Sequence, residues 1–240
     1  MRRLAALLLV ALCAWSCASA PDAQTWTDTY QSRVEALALL QTLNAGILAA
    51  SSATATLEQW CRDHEMAVDP TVVVDRVEAV SKEPSAEQLQ RLRVSDAAEL
   101  KYRRVRLRCG AHVLSEADNW YVPARLTAKM NQLLDTSDIP FGKVVRELAP
   151  YRRTIEATLL WSPLPPQWEL HRRSYGRGGA LMIPKEVLRH RAVLYTSDHQ
   201  PFAEVVETYQ GELLAFGAAG AAVRAAGAGR TRHPAPRTEH

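Results

Sequence analysis

The residue types that most often carry chemistry are few in this sequence and lie far apart. No nucleophile elbow (G-x-S-x-G), zinc-protease motif (H-E-x-x-H) or P-loop is present. The glycine-rich run 176–179 lacks the strand-to-helix setting and the Lys-Ser/Thr pair of a phosphate loop, so we interpret it as a mobile loop. The seven histidines have no metal-ligand spacing with a cysteine or aspartate, and they are His64, His112, His171, His190, His199, His233 and His240. We therefore expect no metal and no nucleotide cofactor.

The first twenty residues have the pattern of an export signal. A basic start precedes an apolar run and then small residues, and the run is too short to span a bilayer as a permanent helix. Three routes of maturation are open: cleavage after Ala18, cleavage after Ala20, or lipidation of Cys17, whose preceding residues match a lipobox poorly. We expect a periplasmic or secreted protein that touches a membrane only if Cys17 is lipidated.

The net charge gives no reason to expect nucleic acid as a partner. Of the formal +3, two arginines belong to the signal and the segment 217–240 holds a net +3, which leaves the body at −2. The segment 217–240 is rich in Ala, Gly, Arg and Pro and has no aromatic residue, so it is predicted to be a disordered tail.

Outside the signal the chain keeps two cysteines, Cys61 and Cys109. In an exported protein a pair of cysteines favours a disulfide. The alternative is two buried free thiols, because cysteine is among the most buried residue types.

Hydrophobic periodicity predicts helices followed by hairpins. Helices are predicted at 26–50, 57–64, 85–92, 125–134 and 141–148, and strands at 70–77, 101–109, 113–123, 154–161, 191–196 and 202–209. Two pairs of strands form hairpins, so the fold class is predicted as α+β, an antiparallel sheet with inserted helices. We place an N-terminal helix in 21–50 and the main domain in 51–216.

Three segments, in this order, resemble the chorismate lyase family. They are the hairpin 102–123, the segment 138–142 and the hairpin 191–209, and a weaker fourth match is 54–56. That family eliminates pyruvate from chorismate to leave 4-hydroxybenzoate, without a cofactor, in a closed cavity between sheet and helices. The resemblance covers 51–214 and implies a ligand cavity of this kind here.

The resemblance also implies roles for individual residues. It implies an arginine in the first hairpin that grips a ligand carboxylate, a backbone N–H at Ala55 that holds a carboxylate, a gate at Phe141 and Gly142, and an essential Glu207. Asn119 stands where the family has a second arginine, and Glu207 follows the hairpin proline by six residues where the family has five. Phe141 is bulkier than the family's leucine.

Strand alternation decides which arginine of the first hairpin faces the cavity. Arg103 shares its face with Val105 and Leu107, whereas Arg104 shares its face with other arginines, as on a solvated surface. Counting back from Pro123 without a gap selects Arg104 instead. We favour Arg103 and keep Arg104 as the alternative.

Glu207 is the candidate general acid. Its face-mates in the predicted strand, Ala203, Val205 and Tyr209, would desolvate it, as a general acid near a departing enolpyruvyl ether requires. The leading hypothesis is an exported, monomeric, cofactor-independent carbon–oxygen lyase of the chorismate lyase type. The alternatives are a non-catalytic binding protein for an aromatic or small cyclic carboxylate, and an envelope interaction module with an empty cavity.

Overall fold

The computed structural model describes residues 26–78, 80–170 and 178–216. The predicted signal with Cys17, the predicted tail 217–240 and the first half of the run 176–179 lie outside the described residues. The helices are α1 (Tyr30–Ala49), α2 (Ala53–Asp63), α3 (Ala86–Leu92), α4 (Ala128–Thr136) and α5 (Phe141–Val144). The strands are β1 (Val72–Arg76), β2 (Lys101–Cys109), β3 (His112–Tyr121), β4 (Tyr151–Leu159), β5 (Glu186–Tyr195) and β6 (Pro201–Gln210).

The six strands form one antiparallel sheet in the order β1-β2-β3-β6-β5-β4. The two predicted hairpins, β2–β3 and β5–β6, are joined at the centre of the sheet by pairing between β3 and β6. The predicted fold class, α+β with an antiparallel sheet and inserted helices, is confirmed. No helix in the described part of the chain combines the length and the apolar character that a membrane span needs.

Helices α1, α2, α4 and α5 cover one face of the sheet, here called the inner face. Leu40, Leu43 and Ile47 of α1 pack with Leu57 of α2 and with inner-face side chains such as Leu107. These contacts remove apolar surface from water, which is the main stabilising term of such a layer. On the opposite, outer face, Leu92 of α3 packs with Trp120 and Val193.

A disulfide joins α2 to the inner face of β2. Cys61 and Cys109 are both fully buried, and their Cα atoms are 6.4 Å apart. Beside it, the Trp60 indole N–H donates to the Leu213 carbonyl at 3.0 Å. The C-terminal end of α2 is therefore fixed to β2 by a covalent bond and to the turn after β6 by a buried hydrogen bond.

Several elements begin earlier or later than the periodicity predicts. Helix α1 starts at Tyr30, because Thr29 caps it by accepting from the Ser32 N–H. Helix α2 starts at Ala53 for the same reason, with Ser52 as its N-cap. Strand β4 begins earlier than predicted, at Tyr151, which pairs with Tyr195, and β5 begins earlier, at Glu186, which pairs with Gln210 of β6.

Strand β4 contains a bulge that reverses its alternation. Its register shifts between Thr154 and Glu156, so Ile155 has no partner in β5. As a result Arg152 and Thr154 lie on the same face of the sheet as Ala157, which pairs with the inward His190. This shift turns Arg152 toward the inner face.

Candidate functional site

A small cavity lies between the inner face of the sheet and the N-terminal ends of α2 and α5. Its volume is about 40 Å³. The lining residues come from five strands and two helix starts: Ser51, Ser52, Ala53, Thr54, Val105, Leu107, Ala117, Asn119, Phe141, Gly142, Arg152, Leu194, Val205 and Glu207.

A buried ion pair forms the polar end of this cavity. Arg152 of β4 reaches across β5 and donates from Nη2 to Glu207 Oε2 of β6 at 2.6 Å. The side chains are 3% and 10% exposed. Burial disfavours the charge on Arg152, but the neighbouring carboxylate outweighs this effect and raises the pKa of Arg152. The Nε atom of Arg152 is buried and has no hydrogen-bond partner among the described residues.

Two further side chains complete the network around Glu207. The Tyr209 hydroxyl donates to Glu207 Oε2 at 3.0 Å, and burial together with the Glu207 charge raises the pKa of Tyr209. His190 pairs with Glu207 across β5 and β6, and its Nε2 lies 2.8 Å from Asn44 Oδ1 of α1. Burial, and next the charge of Arg152, lower the pKa of His190 to about 4. His190 is therefore neutral at neutral pH.

The first turn of α2 forms the roof of the cavity. Ser52 Oγ accepts from the Ala55 N–H at 3.3 Å, while Ala53 and Thr54, whose N–H groups precede the first intrahelical bond, line the cavity. The partial positive charge of a helix N-terminus favours an anion at this point. Gly142 lets α5 approach the start of α2 closely, because a Cβ at this position would lie 3.1 Å from Ser52 Oγ.

Four of the residues predicted from the sequence meet at this cavity. Glu207, Asn119, Phe141 and Gly142 all line it, and Glu207 has the buried face-mates that were expected. Ala55 lies one residue beyond the lining, and its N–H is already bonded to Ser52 Oγ. In the structure, Ala53 and Thr54 occupy the position expected for Ala55.

Arg103 and Arg104 separate onto opposite faces, as the alternation of β2 predicts. Arg103 is on the inner face and 7% exposed, yet it does not line the cavity. Its Nη2 makes long contacts to the Ser137 and Ile139 carbonyls at 3.3 and 3.4 Å, and its Nε and Nη1 have no partner in the described chain. Burial lowers the pKa of Arg103, and the charge of Arg76 adds to this effect.

Arg104 lies on the outer face, away from the cavity. It donates to Glu116 Oε2 at 2.7 Å and belongs to a groove of about 310 Å³ lined by charged side chains such as Asp118 and Arg191. The gapless count from Pro123 that selected Arg104 is therefore wrong for the cavity, because only odd-numbered residues of β2 face the inner side.

The arginine that does face the cavity, Arg152, is absent from the sequence prediction. The predicted strand begins at 154 and does not include Arg152. The signal that could have found it is the run of Tyr151 to Thr154, whose β-prone residues extend the strand backward. The bulge at Ile155, which turns Arg152 inward, has no comparable signal.

The cavity is small compared with known ligand sites. A volume of about 40 Å³ holds about three waters, whereas sites for drug-sized ligands measure about 300–1,000 Å³. An aromatic acid therefore requires the roof formed by α2 and α5 to separate from the sheet. Among the described residues, no group of three or more His, Cys, Asp or Glu side chains could hold a metal ion.

Comparison of the sequence with known proteins identifies a relative. "Uncharacterized protein y4mC" of Sinorhizobium fredii (strain NBRC 101917 / NGR234) is 47% identical over 195 residues, which are 80% of this chain and 82% of that protein. The chain belongs to the y4mC family. No protein-family model matches it.

Part of this y4mC-family chain is distantly similar to several solved structures. The effector domain of PhnF from Mycobacterium smegmatis has a TM-score of 0.41 and 11% identity, covering 68% of this chain and 90% of that domain. A GntR-family transcriptional regulator from Enterococcus faecalis V583 has a TM-score of 0.34 and 14% identity, covering 59% and 90%. For YydK from Bacillus subtilis subsp. subtilis str. 168 the TM-score is 0.36 and the identity 14%, and the match covers 59% of each chain.

Proposed function

We propose that this y4mC-family chain binds a small organic carboxylate in the cavity under α2. The observation that carries the proposal is the guanidinium of Arg152, which is almost fully buried, lines the cavity and keeps a buried Nε without a partner. A buried polar group without a partner is costly, and a carboxylate oxygen is the acceptor that matches a guanidinium best.

The rest of the cavity suits a carboxylate attached to a flat apolar body. The N-terminal turn of α2 favours negative charge, and Phe141, Leu194 and Val205 supply apolar walls. Asn119 is the one amide in the lining and can hydrogen-bond a hydroxyl or carbonyl on the ligand. An aromatic or small cyclic carboxylate combines these features.

Calorimetric titration of the purified protein with 4-hydroxybenzoate tests this proposal. We expect saturable binding that Arg152→Met abolishes. The matched control is Arg153→Met, because Arg153 is the next residue of β4 and is exposed. Equal binding by the wild-type protein and Arg152→Met, or no binding by the wild type, would overturn the assignment of the site.

Glu207 favours a second candidate function, the carbon–oxygen lyase activity of the chorismate lyase type. It is 8% exposed, lies in the same cavity and accepts a hydrogen bond from Tyr209, so it is placed to exchange a proton with a bound ligand. Incubation with chorismate, followed by assay of pyruvate and 4-hydroxybenzoate, tests this candidate. Product formation above the spontaneous rate, abolished in Glu207→Gln, would support the lyase activity. If no product forms above that rate, the lyase candidate fails and the binding function remains.

We also propose that the chain is exported. The disulfide between Cys61 and Cys109 supports this proposal, because such bonds persist mainly in oxidising compartments. Cell fractionation with N-terminal analysis of the recovered protein is the test. Recovery of full-length protein in the cytoplasm alone would contradict export, and a lipid-modified Cys17 would select the lipoprotein route.

A further inference from the structure

Inside the cavity, one positive and one negative charge cancel. Arg152 and Glu207 are bonded at 2.6 Å, and both are shielded from solvent. A ligand carboxylate that binds Arg152 adds a second negative charge to this small volume. Two carboxylates beside one buried guanidinium leave one charge without compensation, which is costly where water is excluded.

We propose that Glu207 is a displaceable internal counter-ion, and that binding of a carboxylate ligand at Arg152 is accompanied by the uptake of one proton by Glu207. This inference rests on the carboxylate-binding function proposed above. The balance is simple: the ionised ligand and one proton enter, the Arg152–Glu207 pair opens, and a neutral Glu207 and an Arg152–ligand pair remain. No group is oxidised or reduced.

The surroundings of Glu207 on its own and adjoining strands favour this outcome. Across β5, the neutral His190 faces it, and along β6 the Tyr209 hydroxyl donates to it. On β3 the residue opposite is Ala117, which brings no charge. The cationic partner of Glu207 among these strands is Arg152, so losing that contact removes the main support for its charge.

The helices packed on this face bring no charged group into the cavity lining. Helix α1 brings Asn44 to His190 without entering the lining, and the starts of α2 and α5 contribute Ser52, Thr54 and Gly142 to it. The charged side chains of these helices are absent from the lining, and among them Lys143 and Glu58 bond each other and connect α5 to α2. A protonated Glu207 can in turn donate its new O–H to a ligand oxygen.

The measurable consequence is a pH-dependent affinity of defined slope. If the free protein holds Glu207 ionised and the complex holds it protonated, the association constant falls about tenfold for each unit that pH rises. Glu207→Gln imitates the neutral side chain, so its affinity should be independent of pH between about pH 6 and pH 8 and should exceed that of the wild type at the upper end.

The experiment is calorimetric titration with 4-hydroxybenzoate in two buffers of different ionisation enthalpy, at about pH 6, 7 and 8. The difference in heat between buffers gives the number of protons taken up, and we expect one for the wild type and none for Glu207→Gln. His190→Gln serves as the control for the other titratable group, and it should still take up one proton. The wild-type measurement stands even if a variant fails to fold.

Each outcome decides between the two proposals. Binding without proton uptake and without pH dependence would overturn the counter-ion role while the binding function stands. Uptake that survives in Glu207→Gln and disappears in His190→Gln would assign the proton to His190 and also overturn it. If neither the wild type nor Glu207→Gln binds at any of these pH values, the binding function fails and the inference fails with it.

Discussion

The two faces of the sheet use the same residue types in different surroundings. On the outer face Arg104 bonds Glu116 at 2.7 Å, and Lys185 also contacts Glu116 at 3.2 Å. On the inner face Arg152 bonds Glu207 at 2.6 Å, and both side chains are nearly or fully removed from water. The outer arginine is 26% exposed, and Glu116 has further cationic partners, so the loss of Arg104 costs little. The inner arginine is 3% exposed, and the other hydrogen bond to Glu207 comes from the neutral Tyr209 hydroxyl, so removal of Arg152 leaves a buried charge without a cation.

The largest effect is expected from Arg152→Met, which tests the inner side of this comparison. It should lower the free energy of unfolding by about 3–5 kcal/mol, because Glu207 stays buried without its partner. Urea unfolding at neutral pH measures the change. The double variant Arg152→Met with Glu207→Gln should recover most of the loss. A cost below about 1 kcal/mol for the single variant would show that the two faces do not differ.

Lowering the pH should decrease the stability of the protein through His190, which is buried on the inner face. Burial keeps His190 neutral down to a pKa of about 4, whereas the unfolded chain takes up this proton near 6.5. Its contribution to stability is therefore complete above about pH 6.5 and is lost as the pH falls toward 4. Between pH 7 and 4.5 the wild type should lose about 2–3 kcal/mol more than His190→Gln. Parallel losses in urea unfolding would contradict the burial of this ring.

Arg103→Met separates the two buried arginines of the inner face. Arg103 has long contacts to two carbonyls and no carboxylate bonded to it, so a side chain of similar length without charge relieves its desolvation. We expect the free energy of unfolding to rise by about 1 kcal/mol, opposite in sign to Arg152→Met. Thermal unfolding of both variants side by side measures the contrast. A loss of stability would mean that the carbonyl contacts outweigh the burial of the charge.

The smallest effect is expected from Arg104→Met on the outer face. Glu116 keeps contacts to Arg106 and Lys185 at 3.5 and 3.2 Å, so the free energy of unfolding should change by less than about 1 kcal/mol. Urea unfolding under the conditions used for Arg152→Met gives a direct comparison. A large loss would show that the outer network acts as a unit and would remove the distinction between the faces.

Local sequence patterns predicted much of the fold and part of the site. The alternation of β2 predicted that Arg103 turns inward and Arg104 outward, and the helix predicted at 85–92 is present as α3, capped by Ser85 and Gln88. These features depend on neighbours in sequence. The pairing of β3 with β6 joins residues far apart in the chain, such as Ala117 and Glu207, and local patterns do not encode it.

The position of Arg152 shows most clearly why the rest was not predictable. Uniform alternation counted back from Ala157 would place Arg153 on the inner face. The unpaired Ile155 shifts the count by one and puts Arg152 there instead. A bulge depends on the pairing register of two strands, and the sequence of one strand alone does not determine that register. Arg103 illustrates the converse, since correct facing did not bring its guanidinium to the cavity.

The disulfide sets the kind of motion that can admit a ligand. It holds α2 at Cys61, whereas the roof of the cavity is the other end of the same helix, at Ala53. Eight residues of helix give a lever arm of about 12 Å. A tilt of roughly 17° about the fixed end would therefore move Ala53 by about 3.5 Å, the contact distance between carbon atoms. Helix α2 can therefore tilt about Cys61, so that its N-terminal end at Ala53 moves away from the cavity while its C-terminal end stays bound to β2.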